Sequence, residues 1–397
     1  MRTTDSTPAP LATAVAYGAA LLLAGCGVLV AWLNVFPPGK PSGFVDIDWY
    51  RRALDAVAAG RLMYTEVTYP PITLLVFSPL RGLPALAGEQ LWTGATIAVA
   101  LLLAWATARF CLADAARSAA LRDPRFLIQL GFAAVLLLVS YPVMFHLSVG
   151  QLSIFVMALA FFDVSGLVKR RFQGSLVGAA AALKLTPLVF FPYYALTKQW
   201  RQLAIAVAGF LALALIGFGL FPADSAYFWT HPDSSGQLNP GTYINVTLLG
   251  TMIRWLGDTP LVHVVWIVLA IGVGLAALLR ARAHFHHQDH FQAAIVVGCA
   301  STLIGPIAWP HYQIWQVLAA IWLMLSGGRR RFALGVTLYA IFSYPFAVLI
   351  YGPYRDLLIA QLGREALMLA SLIICLLGLP RSAPASARAP EAAATAV

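Results

Sequence analysis

Long apolar runs recur along almost the whole 397-residue chain. The hydrocarbon core of a bilayer is about 30 Å thick, and about 20 helical residues cross it. Hydrophobic residues make up 60% of the chain and charged residues 11%, a balance that soluble domains of this size do not have. The sequence therefore predicts an all-α polytopic membrane protein with about ten transmembrane helices. The ten runs, two of them short, are residues 11–33, 90–109, 126–145, 151–168, 203–221, 259–280, 291–309, 312–326, 332–350 and 365–380.

Three regions follow from the position of these runs. Residues 1–10 are a polar tail, and residues 381–397 are a tail rich in Ala, Pro and Ser that we expect to be disordered. Residues 11–380 form one membrane-embedded domain. Within it, the two long polar interruptions at 34–89 and 222–258 are predicted to be extracytoplasmic loops.

The positive charges fix the orientation. With the N-terminus in the cytoplasm, 17 of the 26 basic residues fall on the cytoplasmic side, as the positive-inside bias requires. The net charge of +10 is thereby explained by topology, and no soluble segment carries the basic, aromatic-interleaved stripe of a nucleic-acid-binding protein. The 17 residues are Arg2, Arg109, Arg117, Arg122, Arg125, Lys169, Arg170, Arg171, Lys198, Arg201, Arg280, Arg282, Arg329, Arg330, Arg331, Arg381 and Arg388.

The apolar stretch 174–194 departs from this regular pattern. A full crossing here would place the basic clusters at its two ends on opposite sides of the membrane. The stretch is interrupted by Lys184 and Pro187. Because proline breaks a helix and a lysine at mid-depth is costly, we predict a re-entrant pair of half-length helices that meet at Lys184.

With this pair, the polar features converge at the extracytoplasmic ends of the helices. Asp46 and Asp48 lie in an acidic and aromatic island, followed by the Tyr69-Pro70-Pro71 unit. The 148–151 turn, the 222–260 loop and the Trp309-Pro310-His311 unit fall on the same side. Ionisable residues in such a setting are expensive unless they are functional, so we predict a single outward-facing cavity.

These motifs, in this order, resemble glycosyltransferase family 87. The resemblance extends from Val45 to Trp315, and the order and spacing of the blocks are more specific than any one block. A polar block is represented only by 245–250, and a His-His pair is here His311-Tyr312, which leaves the donor sugar and the acceptor open. The matching blocks are Asp46 to Tyr50, Gly60, Tyr64, Tyr69-Pro70-Pro71, Ser78-Pro79-Leu80, Gly150-Gln151, Asp163, 178–187 and 305–312.

The resemblance implies a C-type glycosyltransferase fold and transfer of a sugar, often mannose, from a polyprenyl-phosphate donor to a glycolipid or lipoglycan at the outer face of the plasma membrane. Asp46 matches the acidic position of the family, and a carboxylate in a partly desolvated cleft is a suitable general base. Lys184, His311 and Arg254 are the candidates for binding the donor phosphate, whose charge grows in the transition state. No cofactor is expected. The predicted substrate pocket contains Tyr50, Tyr69, Gln151, Asn245 and Trp309.

Other interpretations stay open for individual residues. Asp48 is the alternative base, and the Asp46-x-Asp48 pair could hold a divalent metal, although two carboxylates supply few of the ligands that a hard cation needs. Lys184 could extend along a re-entrant turn without binding a ligand, and His311 could cap a helix. The aromatic residues could form an interfacial belt.

The alternative function from another class is a multi-pass secondary transporter or a lipid-carrier flippase. A broken helix with a charged residue near mid-depth also builds transporter sites. Two observations disfavour this: no internal repeat relates the halves of the chain, and the polar residues gather at one face instead of the midplane. Besides the donor and the acceptor, the predicted partners are membrane lipids.

Overall fold

The computed structural model describes residues 10–38, 44–65, 69–112, 121–231, 239–353 and 355–381. Most of both predicted tails and parts of both predicted loops lie outside these residues. Within them the chain is α-helical, with short 3-10 turns and no β-strand. The helices are α1 (Pro10–Val35), α2 (Val45–Ala58), α3 (Leu74–Arg81), α4 (Ala85–Phe110), α5 (Pro124–Val139), α6 (Tyr141–Val149), α7 (Ser153–Val164), α8 (Ser175–Leu183), α9 (Phe190–Leu196), α10 (Trp200–Leu220), α11 (Pro222–Thr230), α12 (Leu248–Leu256), α13 (Pro260–His286), α14 (His290–Leu303), α15 (Ile314–Leu325), α16 (Arg329–Ile341), α17 (Tyr344–Tyr351) and α18 (Leu358–Leu377).

Five of the described helices, α1, α4, α10, α13 and α18, are long and apolar enough to cross a membrane. The prediction of an all-α, multi-pass membrane protein is thus confirmed in its class. The other predicted runs form shorter helices. A helix of 12 residues such as α7 or α15 is only about 18 Å long, less than the hydrocarbon thickness.

Two predicted runs, 126–145 and 332–350, are each broken into two helices. α6 and α17 both begin with a proline in the first turn, which lacks the N–H that would continue the preceding helix. The two breaks meet, because Tyr141 N–H donates to the Phe342 carbonyl over 2.9 Å and Ser140 pairs with Ser343 in an antiparallel bridge. The broken backbone is therefore partly satisfied within the protein, as the membrane interior requires.

The short helices α14 and α15 form the centre of the core. All residues of α15 from Ile314 to Leu323 are buried, as are twelve of the fourteen residues of α14. A helix that is apolar on every side must be enclosed by other helices. α13, α16 and α18 pack around this pair, and α1, α4 and α5 form a second layer.

The stretch 174–194 forms the predicted pair of short helices, α8 and α9, with Lys184 between them. Both ends of the pair lie at the same level, because the Arg201 guanidinium donates to the carbonyls of Arg170 (3.0 Å) and Arg171 (3.2 Å). Gly174 lies so close to α10 that a Cβ would be 2.2 Å from the Gln202 carbonyl oxygen. The chain thus returns at residue 199 to the level that it left at residue 174.

We expect single cysteines at Arg171 and Lys198, both exposed, to be labelled from the same side of the membrane, because Arg201 at the start of α10 is bonded to the backbone just before α8. Asp258, exposed beyond the other end of α10, is the control and should be labelled from the opposite side. The measurement is labelling of intact and permeabilised cells with an impermeant maleimide, in a background without native cysteines. Labelling of Arg171→Cys and Lys198→Cys from opposite sides would contradict the folded-back arrangement.

Candidate active site

Asp46 lies in the first turn of α2, on its buried face. Its residue is 6% exposed, whereas Asp48 is exposed. Successive residues of a helix point about 100° apart, so two carboxylates at this spacing face different directions. The Gln151 side-chain amide donates a hydrogen bond to Asp46 Oδ2. The structure therefore brings Asp46, and not Asp48, to another predicted site residue.

Gly150 makes this contact possible. It ends α6 with φ +75°, a left-handed conformation that favours glycine. A Cβ at this position would lie 2.5 Å from the Phe44 ring and 2.6 Å from the Ile47 side chain. The turn can therefore approach α2 closely only with glycine here. Trp92 Nε1 donates to the Gln151 carbonyl oxygen over 3.2 Å and fixes the next residue of the turn.

Lys184 directly follows α8 and has an extended backbone conformation. It is 6% exposed. Its Nζ donates to Ser153 Oγ over 2.9 Å and to the Tyr69 hydroxyl over 3.3 Å. The same ammonium lies 3.6 Å from the centre of the Tyr312 ring, a cation–π contact. The predicted break in the 174–194 stretch thus delivers a cation to the interior of the protein.

The hydrogen bonds join Lys184 to Asp46 through two residues. Lys184 donates to the Tyr69 hydroxyl, which donates to Gln151 Oε1 over 3.2 Å, and the Gln151 amide donates to Asp46. Every donor in this network points toward the carboxylate. Asp46 is therefore held as an acceptor, the form in which a carboxylate can take up a proton.

His311 lies in the 3-10 turn 310–312 and is 1% exposed. No described residue forms a hydrogen bond with either of its ring nitrogens. His311 and Lys184 line one small cavity of about 30 Å³, with Ser153 and Thr302. The structure therefore places two of the three predicted phosphate-binding residues at one cavity.

His146 on α6 lies beside His311, with ring centroids 6.0 Å apart. Its Nε2 accepts the Ile154 backbone N–H over 3.1 Å. Neutral His146 therefore carries its proton on Nδ1, which is buried and has no partner among the described residues. His146 was not among the predicted site residues, because one histidine in an apolar helix is not distinguished by its neighbours.

Tyr50 and Trp309, two aromatic residues of the predicted substrate pocket, lie in different environments. Tyr50 is 2% exposed, and its ring stacks on Phe77 with centroids 3.6 Å apart and on Tyr69 with centroids 6.0 Å apart. Tyr50 is therefore part of the wall behind the Asp46 network. Trp309 is half-buried, two residues before His311.

Asn245 fixes the loop that carries His311. Its Nδ2 donates to the carbonyls of Pro240 (2.8 Å) and Pro306 (2.9 Å), and its Oδ1 accepts the Ala308 N–H over 3.0 Å. With these bonds its amide is fully engaged by backbone groups. Asn245 therefore links the backbone at residue 240 with that at residues 306–308, and its side chain is not part of the Asp46 network.

Arg254 is not brought to the Lys184 cavity. Its Nε and Nη2 donate to Glu365 on α18 over 2.9–3.1 Å, and its Nη1 donates to the carbonyls of Thr242 (3.2 Å) and Asn245 (2.7 Å). The guanidinium thus already holds a carboxylate in the bidentate geometry that a phosphate would need. The structure gives no support to Arg254 as a donor-phosphate ligand.

Two further residues of the cavity were absent from the predicted site. Ser153 did not stand out because it lies in the apolar run that forms α7. Tyr312 follows His311, where the family pattern led us to expect a second histidine. Both contact the Lys184 ammonium. The polar break at 148–151 was a signal for Ser153, whereas the ring contact of Tyr312 had none in the sequence.

An apolar groove of about 690 Å³ adjoins the polar cavity. Thr186 and Ser301 line both spaces. On the outer side, Ile267, Ile271 and Leu275 of α13 are 49–66% exposed. The groove thus connects the lipid-facing surface of α13 with the cavity of Lys184 and His311.

The Asp46 carboxyl has an unusual acidity. Burial raises the pKa of Asp46 to about 7, and the charge of Lys184 offsets part of this rise. A pKa near neutrality suits a general base, because the carboxylate is then present and still takes up a proton readily.

Comparison with known proteins identifies the family of the chain. Residues 67–306 match the sequence model described as Glycosyltransferase family 87. This range includes the Tyr69, Gln151 and Lys184 positions, while Asp46 and His311 lie outside it. No solved structure matches the chain.

Several relatives share most of the length of the chain. A polyprenol-phosphate-mannose-dependent alpha-(1-2)-phosphatidylinositol mannoside mannosyltransferase of Mycobacterium tuberculosis is 28% identical over 338 residues, 78% of this chain and 76% of the relative. The protein of the same description in Mycolicibacterium smegmatis is 26% identical over 355 residues, 81% and 79%. A pentamannoside mannosyltransferase of Mycolicibacterium smegmatis is 27% identical over 325 residues, 77% and 74%. With the family match over more than half of its length, this chain belongs to glycosyltransferase family 87.

Proposed function

We propose that the protein transfers a mannosyl residue from a polyprenyl-phosphate donor to a hydroxyl group of a glycolipid acceptor. The observation that carries the proposal is the buried network in which Lys184 and Asp46 are joined through Tyr69 and Gln151. A phosphate leaving group needs a cation, and an acceptor hydroxyl needs a base. The relatives, which are named as polyprenol-phosphate-mannose-dependent mannosyltransferases, support mannose as the sugar.

The apolar groove is where we place the polyprenyl chain of the donor. An isoprenoid chain is most stable where none of its apolar surface contacts water. This groove suits such a chain because it is lined almost entirely by apolar side chains. At its inner end the shared residues Thr186 and Ser301 adjoin the cavity of Lys184 and His311. A lipid in the groove would present its phosphate at that cavity.

The reaction is a single displacement. The acceptor oxygen forms a bond to the anomeric carbon while the bond from that carbon to the phosphate oxygen breaks. Asp46 takes the acceptor proton, and the polyprenyl phosphate leaves with the electron pair and the negative charge, which Lys184 stabilises. Attack from the face opposite to the leaving group inverts the anomeric configuration.

The site belongs to the extracytoplasmic side of the plasma membrane in this proposal. The basic residues at the opposite ends of the helices support the orientation. About ten crossings, a re-entrant pair and a C-type glycosyltransferase fold in one domain, 11–380, complete the proposed architecture. The transporter alternative is not retained, because the chain belongs to a family of enzymes.

Asp46→Asn keeps the size and polarity of the side chain but removes its basicity, so we expect kcat to fall by about 10²–10⁴-fold while the donor still binds. The measurement is mannosyl transfer from polyprenyl-phosphate mannose by purified protein. Asp48→Asn is the matched control on the exposed face of the same turn and should retain activity. Loss of activity in Asp48→Asn with near-normal Asp46→Asn would assign the base to Asp48.

The pH dependence of kcat/KM should show the ionisation of Asp46. The base must be deprotonated in the free enzyme, so kcat/KM should fall about tenfold per pH unit below a pKa of about 7 and level off above it. The residual activity of Asp46→Asn should lack this acidic limb. An unaltered limb in Asp46→Asn would show that another group produces it.

Lys184→Gln keeps a hydrogen-bond donor toward Ser153 but removes the charge. Because the ammonium acts on the phosphate in both the bound donor and the transition state, we expect a higher KM for the donor and a lower kcat, together on the order of 2–4 kcal/mol of transition-state stabilisation. Lys169→Gln, an exposed lysine before α8, is the control. A Lys184→Gln variant with unchanged donor KM and kcat would remove this residue from the proposed mechanism.

A further inference from the structure

A second charged cluster lies where α12, α17 and α18 meet, and it consists of Arg254, Tyr351, Arg364 and Glu365. We call it the Arg364 cluster. The carboxylate of Glu365 is already hydrogen-bonded within the cluster. Both of its oxygens accept from Arg254, and Trp255 Nε1 donates to the same group over 3.1 Å. The side chains of this ion pair are only 12% and 11% exposed. The negative charge of Glu365 therefore balances Arg254.

Arg364 is the cation in excess. Its residue is 8% exposed, and no described residue accepts a hydrogen bond from its buried Nε. The hydroxyl of Tyr351 is likewise buried without a hydrogen-bond partner among the described residues. The other nearby carboxylate, Asp356, has a side chain that is 91% exposed and faces Arg355. A guanidinium whose Nε is buried without an acceptor is costly, so the arrangement suits an anion supplied by a ligand.

A row of aromatic rings connects this cluster with the active site. Tyr351 stacks on Tyr141 with centroids 5.6 Å apart, Tyr141 contacts Phe145 at 5.7 Å, and Phe145 stacks on His311 at 5.7 Å. The rings along the row are partly exposed up to Phe145. Aromatic faces are suitable surfaces for the apolar faces of sugar rings.

We propose that the Arg364 cluster binds the phosphodiester of a phosphoglycolipid acceptor, whose glycan lies along Tyr351, Tyr141 and Phe145 toward Asp46. Arg364 donates to the phosphate oxygens in the planar geometry that favours arginine over lysine, and the Tyr351 hydroxyl supplies another donor. This inference rests on the proposed function and adds the acceptor subsite to it. It assigns the anion to the acceptor, whereas Lys184 serves the donor.

The test compares two acceptors with purified protein and polyprenyl-phosphate mannose. One acceptor is a phosphatidylinositol mannoside, which carries the phosphodiester, and the other is octyl α-mannoside, which does not. Arg364→Gln should raise KM for the phospholipid acceptor by about 10–100-fold, the range for loss of one charge-assisted hydrogen-bond pair, with kcat unchanged. KM for octyl α-mannoside and for the donor should not change.

Controls separate this effect from a loss of structure. Arg355→Gln removes an exposed arginine from the same end of the molecule and should leave both acceptors unaffected. Arg364→Lys should lie between wild type and Arg364→Gln, and Tyr351→Phe should raise KM for the phospholipid acceptor alone, by a smaller factor. Because Arg364→Gln also removes a cation close to Arg254, thermal melting in detergent should show no destabilisation.

Three outcomes would overturn the proposal. An equal rise of KM for both acceptors would mean a general structural role, and an unchanged KM would mean that no phosphate binds here. Competition by phosphatidylglycerol as strong as by the phosphatidylinositol mannoside would mean a site for any anionic lipid. If wild-type protein transfers mannose to neither acceptor, the proposed function itself fails, which is distinct from a failure confined to Arg364→Gln.

Discussion

The interior of this protein depends on the hydrogen bonds that the buried carboxylate of Asp163 accepts. It lies at the end of α7 and accepts the backbone N–H groups of Gly174 (2.7 Å) and Val177 (2.9 Å), at the start of α8. These are the N–H groups that a helix leaves unsatisfied, and the positive end of the helix dipole favours the carboxylate. Asp163 thus ties the end of α7 to the start of α8. At the other end of α8, the Lys184 ammonium donates to Ser153 at the start of α7, so both ends of the two helices are joined.

The candidate active site contains polar groups with hydrogen-bond partners beside polar groups without them. Lys184, Tyr69, Gln151 and Asp46 form a continuous network in which each member has a partner. His311 and the Nδ1 of His146 have none among the described residues. Buried polar groups are normally paired, and exceptions are common where a ligand completes the bonding. The unpaired imidazoles therefore mark the side of the cavity at which a substrate group is expected.

The residues of the candidate site that the sequence made conspicuous are those that interrupt apolar runs. Asp46 and Lys184 stood out because each is an ionisable residue in an apolar context, and Pro187 announced the break beside Lys184. Arg254 also stood out as a cation, but its partner Glu365 is 111 residues away, and no local pattern shows that a pair at this separation will form. For the same reason the sequence did not reveal Arg364 or the ring contacts of Tyr312.

The sequence predicted some helices with their full length and others only as part of a longer apolar run. The long apolar runs at α1, α10 and α13 became full-length helices, since their uniform hydropathy contains no signal for a break. The runs at 126–145 and 332–350 are also apolar, but each contains an internal proline and is interrupted next to it. Hydropathy measures only the preference for an apolar environment and cannot tell lipid from the protein core, so α14 and α15 were indistinguishable from lipid-facing helices.

The groove beside α13 has a consequence for how the enzyme meets its substrate. Exposed side chains of α13 form one wall, so the groove is continuous with the surface that faces hydrocarbon. A substrate that arrives along it diffuses in two dimensions and keeps its chain out of water throughout. In the proposed function, the quantity that governs saturation is then the mole fraction of the polyprenyl-phosphate donor among the lipids of the leaflet. Dilution of a membrane suspension with buffer would leave the rate per enzyme unchanged.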